Sequence, residues 1–228
     1  IYPIIIGKKF TAVDLGYFNR ADTFAMYAPF TISSVISRVA FPIFSRIQDD
    51  DTRLRNAYSK YIIFSSLLIF PTMIGLILLA RPLTLLFLTE KWLLMVPMLQ
   101  ILCIDWMTDH LCQINLNILY VKGRSDLALR LEIIKKTIAI LIFFISLYWG
   151  IIGVCWGRVI YGFLAVYFNS YYTKRLIGIS LIQQLEDIII PLLQAIGMGI
   201  AVGLTICHIQ SVSLQIVSGI IEGMIIYL

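Results

Sequence analysis

The feature that most limits how this chain can fold is a repeat of apolar stretches, each of membrane-spanning length, separated by short segments rich in Lys and Arg. A helix needs roughly 20 mostly apolar residues, about 30 Å at 1.5 Å per residue, to cross a bilayer. Such stretches occur at Tyr17–Phe44, Tyr61–Ala80, Leu93–Val121, Leu127–Trp149, Ile151–Tyr172, Asp187–His208 and Val212–Leu228. Ile1–Phe10 reads as the end of an earlier span. Composition agrees: 60% of the 228 residues are apolar, 14% are charged, and the mean hydropathy is +0.90. This excludes disorder and an ordinary soluble domain. The +5 charge lies beside apolar runs rather than on a polar face, so nucleic acid is not an expected partner. The expected fold class is an all-α polytopic membrane protein. The chain opens at Ile1 rather than Met and stops at Leu228 within apolar sequence, so it reads as part of a longer protein.

Lys and Arg in the connections set the expected topology. Eleven lie on one side, from Arg46 to Lys60, Lys122 to Lys136, and at Lys174 and Arg175. Four lie on the other: Lys8, Lys9, Arg81 and Lys91. The richer side is expected in the cytoplasm. The external connections are short; Trp149–Ile151 reads as a tight turn, and the Arg81–Trp92 stretch reads as lying partly in the interface. The fourth span needs the turn with Lys135 and Lys136. Their long stems can snorkel to the interface, and Glu132 has the spacing to pair with them.

Ionisable residues within spans are costly and mark candidate sites. Arg20 and Arg38 stand five helical turns apart on one face, about 27 Å from each other, with Thr23, Tyr27, Thr31 and Ser34 between them. This is either a polar track lining a cavity or a pair of interfacial anchors. Asp22 is about 160° from Arg38 and faces elsewhere. Asp105 and Asp109 are neighbours on one face, continued by Cys112 and Gln113, and their mutual repulsion would favour proton uptake. The pair is a candidate for proton or ion coupling; the alternative is that both are solvated. Arg158 shares a face with Tyr161, Gly162, Ala165 and Asn169, and serves either a ligand or an acid on another span. Pro29, Pro71 and Pro191 are expected to kink their helices. The cysteines and histidines have no metal-ligand spacing, so no metal and no cofactor is expected.

LGYFNRADTF (residues 15–24), SSVISRVAFPIFSRIQDD (33–50) and FPTMIGLILLARPLTLLFLTEKW (70–92) resemble the Wzx-like polysaccharide-transporter branch of the multidrug/oligosaccharidyl-lipid/polysaccharide exporter superfamily. The resemblance is specific over the first 92 residues and continues in hydropathy to Tyr172. It implies two lobes of six helices around a central cavity, with further C-terminal helices in some members. Residues 1–172 would then be the C-terminal lobe and 173–228 additional membrane helices. It also implies a transporter rather than an enzyme, in the bacterial cytoplasmic membrane. The implied activity is flipping of undecaprenyl-diphosphate-linked glycan, with membrane lipids and other polysaccharide assembly proteins as further partners. The binding candidates are Arg20, Tyr27, Thr31, Ser34, Arg38, Arg158 and Asn169. The rival functions are an ion-coupled small-molecule exporter of the same superfamily and a membrane-embedded glycan polymerase or ligase. The latter would be expected to carry a large external loop.

Overall fold

The computed structural model describes residues 5, 7, 9–209 and 211–227. Most of the expected earlier span over Ile1–Phe10 and the final Leu228 lie outside them. Seven long helices follow in chain order: α1 (Ala12–Arg46), α2 (Asp51–Phe87), α3 (Val96–Val121), α4 (Ser125–Ser146), α5 (Gly150–Ile177), α6 (Leu181–His208) and α7 (Val212–Tyr227). Short 3-10 turns at Glu90–Met95 and Leu147–Trp149 precede α3 and α5. No strand occurs among the described residues.

The helix ends follow local chemistry. Thr11 and Asp14 form a reciprocal capping box at the start of α1, and Ser180 and Gln183 do the same for α6. Asp50 accepts from the Arg53 amide at 3.0 Å and starts α2 ten residues before its apolar stretch. α2 then continues through Arg81 to Phe87, so the stretch expected in the interface is mostly helix. α1, α2 and α6 continue through Pro29, Pro71 and Pro191.

Ser125–Ile177 is a 53-residue helical stretch, twice the length of one span. It folds back at Gly150, whose φ of 74° suits a residue without a side chain. The reversal brings Gly157 so close to α4 that a Cβ there would lie 2.8 Å from Ser146 Cβ and 3.4 Å from Ile142 Cγ2. The tight turn expected at Trp149–Ile151 is therefore present.

α3 is the central post, packed on α1, α2 and α5. α4 lies outside α5, and α6 and α7 pair with each other against α2. Toward one end, Phe18, Ala25, Met73, Leu102 and Val154 form a buried cluster. Toward the other, Phe44, Tyr58, Ile118, Val166 and Ile188 form a second. Large apolar side chains such as Leu141, Phe144, Ile160 and Phe163 point outward from α4 and α5, as lipid contact requires.

Candidate functional site

Two cavities flank α1. The first, about 480 Å³, is bounded by α1, α3, α4 and α5 and is strongly charged. Its wall includes Asp22, Asp105, Asp109, Glu132, Lys135, Lys136 and Arg158, with Trp106, Gln113 and Tyr161 among them. Arg158 holds it together. Its Nη1 donates to Asp22 Oδ1 at 2.7 Å and its Nη2 pairs with Asp105 Oδ2 at 2.6 Å. Trp106 Nε1 donates to the same Asp22 oxygen at 2.9 Å, and the Arg158 guanidinium lies 5.7 Å from the Trp106 ring centre. One cation thus joins carboxylates from α1 and α3 to α5.

The close approach of α5 to α3 depends on Gly162. A Cβ there would lie 2.7 Å from Thr108 Oγ1 and 3.1 Å from Asp105 Oδ1. Asp109, Cys112 and Gln113 continue along the same cavity wall as the sequence periodicity predicts. Lys135 does not snorkel away. It is buried, lines the cavity and pairs with Glu132 one turn earlier. Asn169 is fully buried and donates to the Ala165 carbonyl at 2.7 Å, in the packed core beyond the cavity.

The polar track of α1 faces the other way. Arg20, Tyr27, Thr31 and Arg38 are exposed, Tyr27 at 73%, whereas Phe18, Ala21, Ala25 and Pro29 are buried against the bundle. Thr31 and Ser34 donate to carbonyls of their own helix, at Tyr27 and Thr31, which lets hydroxyls sit in an apolar setting. Arg20 lies 5.9 Å from the Trp92 ring centre. With Thr23 and Tyr27 it forms one edge of the second cavity, about 1020 Å³, whose remaining walls on α2, α6 and α7 are largely apolar. The structure therefore separates the sequence candidates. Arg158 belongs to the charged cavity, while Arg20 and Arg38 lie on the opposite side of α1.

Sequence reasoning set Asp22 apart from the track without giving it a partner, and it did not single out several other polar residues that the fold brings together. Asp22 and Trp106 complete the Arg158 cluster. Tyr58, Asn115, Ser170 and Gln184 form a buried chain: Tyr58 donates to Asn115 at 2.8 Å, and Asn115 and Ser170 each donate to Gln184 Oε1 at 3.0 Å. His110 is buried and within 2.9 Å of Ser66 Oγ, and Thr205 donates to Glu222 at 2.9 Å between α6 and α7. The available signal was a polar residue on the apolar face of an otherwise lipophilic helix. No group of three or more His, Cys, Asp or Glu suited to a metal occurs among the described residues.

Residues 1–97 match a family described as polysaccharide biosynthesis protein. The chain is 29% identical over 212 residues to an uncharacterized membrane protein in the cps region of Klebsiella pneumoniae, covering 92% of this chain and 44% of that one. It is 28% identical over 132 residues to the lipopolysaccharide biosynthesis protein WzxC of Escherichia coli K12, covering 58% and 27%. It is 33% identical over 125 residues to the teichuronic acid biosynthesis protein TuaB of Bacillus subtilis 168, covering 55% and 26%. The chain thus spans less than half the length of these curated relatives. In fold it is similar to the lipid II flippase MurJ in an inward closed conformation, with TM-score 0.79 and 18% identity over 94% of this chain and 45% of that one. Apolar helices of spanning length and these membrane relatives place the chain in the bacterial cytoplasmic membrane as a multi-pass protein. With the motifs of residues 15–24 and 33–50, the matches bear out the resemblance to Wzx-like polysaccharide transporters, through the family match over residues 1–97 and through the fold over nearly the whole chain.

Proposed function

We propose that this chain forms one lobe of a transporter that flips lipid-linked oligosaccharide or polysaccharide repeat units across the cytoplasmic membrane by alternating access. Residues 1–172 make up the lobe and 173–228 the helices added to it. The observation that carries the reading is the exposed face of α1, where Arg20 and Arg38 bracket Tyr27, Thr31 and Ser34. A lipid-linked glycan has an anionic phosphate linkage, a polar head and a long apolar tail. Desolvating the head unaided costs several kcal/mol for each unsatisfied group. Arginines at the two ends of a hydroxyl-bearing face offer charge-assisted hydrogen bonds to phosphate oxygens and neutral ones to sugar. Arg158 is a weaker ligand candidate than these two, because its guanidinium already holds two carboxylates.

The test is delivery of lipid-linked glycan to the outer leaflet by the intact protein, normalised to protein abundance. Arg20→Ala and Arg38→Ala are expected to lower delivery about tenfold, roughly the loss of one charge-assisted bond. Lys at either position keeps the charge but not the planar fork, and is expected to retain part of the activity. Losses that follow protein abundance alone would make both residues structural anchors.

A further inference from the structure

The charged cavity and the exposed track lie on opposite sides of one helix, and this arrangement gives Asp22 a function of its own. At 100° per residue, Asp22 is about 160° from Arg20 and from Arg38, and about 180° from Thr31. A bond made by Asp22 therefore bears on where the whole track points. Phe18, Ala25, Pro29 and Ser33 share the inward side with Asp22, and all four are buried. Apart from Ser33 they are apolar, so their packing tolerates some rotation of the helix. Asp22 meets Arg158 Nη1 at 2.7 Å on α5 and Trp106 Nε1 at 2.9 Å on α3, while Ser37 Oγ, about 60° from Asp22 and about four turns further along, lies 3.0 Å from the Tyr61 hydroxyl on α2.

We infer that Asp22 is a positioning residue for transport, holding α1 in the rotation that presents Arg20, Tyr27, Thr31 and Arg38 to the substrate path. Arg158 is its counterpart. The two terminal nitrogens of one planar fork reach two carboxylates on two helices, Asp22 on α1 and Asp105 on α3, whereas an ammonium would have to meet both from one atom. The trio carries two acids and one base, and Asp105 ties the arrangement to the central helix. Losing one partner strands charge in a low-dielectric setting, so the remaining groups draw water or rearrange rather than keep their places. The inference depends on the transport reading for what the track does, but not for how the track is held.

The experiment uses the intact protein with Cys103, Cys112, Cys155 and Cys207 replaced by alanine. A single cysteine is placed at Thr31, on the exposed track, or at Ser33, on the buried side about 20° from Asp22. In detergent, the maleimide labelling rate at position 31 divided by that at position 33 reports the rotation of α1 and needs no transport. Asp22→Asn and Arg158→Lys are each expected to lower that ratio about tenfold and to reduce glycan export per unit of protein. Asp22→Arg combined with Arg158→Asp restores two acids and one base, and is expected to recover part of both signals although each single change loses them. Trp106→Phe keeps every charge and removes only the indole bond, so it gives an intermediate ratio where Asp22→Asn fails to accumulate. An unchanged ratio in Asp22→Asn or in Arg158→Lys overturns the inference, as does export lost only in proportion to protein. A ratio that responds while the unmodified protein moves no lipid-linked glycan leaves Asp22 as the residue that orients α1 and removes the transport reading instead.

Discussion

Asp105 and Asp109 are one turn apart on α3, yet their surroundings differ. Asp105 is held by Arg158 at 2.6 Å, whereas among the described residues Asp109 forms no ion pair and stands in the cavity wall. With one of its oxygens taken up by Arg158, Asp105 is less open to a coupling ion than Asp109. Of the two coupling candidates, Asp109 is therefore the one for which a test is most direct. Asp109→Asn is expected to flatten the dependence of export on an imposed proton gradient while leaving protein abundance near normal. Asp105→Asn is expected instead to lower abundance and thermal stability. Equal effects from both would show that the pair acts as a unit. Gly162 offers a steric test beside them, since its missing Cβ would lie 2.7 Å from Thr108 Oγ1. Gly162→Ala is expected to cost about 1–3 kcal/mol through overpacking, read as a lower Tm of the solubilised protein. At this scale the sequence was legible wherever one helix was sufficient. Periodicity grouped Asp105 with Asp109 and Gln113, and it set Asp22 apart from the arginine track. It did not pair Asp22 with Arg158, 136 positions away, because angles within a helix say nothing about which neighbour that face meets.

The helices were readable because a bilayer accepts few backbone solutions, so apolar length alone announces each one. What apolar length misses is the polar extension at a helix end. α2 begins at Asp51, well before its apolar stretch, because Asp50 caps it and the next turns tolerate charge in water. It also continues past Arg81 to Phe87, because a stretch with few turn residues serves helix well. The attachment of α6 was not legible either. Gln184 looks like an ordinary polar residue near a helix start, yet its Oε1 accepts from Asn115 on α3 and from Ser170 on α5. Replacing it with Leu keeps the bulk and leaves two buried donors without their acceptor. Gln184→Leu is therefore expected to destabilise the packing of α6 by about 1–2 kcal/mol. Thermal unfolding of the solubilised protein measures this, and an Asn115→Leu/Gln184→Leu double variant should lose less than the sum of its single changes.

For the whole molecule, the sequence count of basic residues divides the connections into two groups, and the fold gathers each group at its own end. Lys122 Nζ pairs with Asp51 at 2.7 Å, joining the α1–α2 corner to the α3–α4 corner. The Arg55 guanidinium lies against Gly178, close enough that a Cβ there would sit 2.5 Å from Nη2, which brings in the α5–α6 corner. Opposite them, Tyr17 donates to the Lys91 carbonyl at 2.9 Å, and Lys9 lies 5.2 Å from the ring centre of Tyr148. The corners holding most of the basic residues thus form one surface, and the poorer group forms the other. Since Lys and Arg near span ends are retained on the cytoplasmic side, the α1–α2, α3–α4 and α5–α6 corners are expected to face the cytoplasm. Single cysteines in a background without the native four provide the measurement. Asp49→Cys and Lys174→Cys replace exposed residues on the basic surface, and Glu90→Cys and Tyr148→Cys replace exposed residues opposite. In whole cells an impermeant thiol reagent is expected to label the second pair and to reach the first only after the membrane is opened. Labelling of the Asp49→Cys and Lys174→Cys variants from outside would invert the protein, and with it the end of the α1 track, Arg20 or Arg38, that a substrate leaving the cytoplasm meets first.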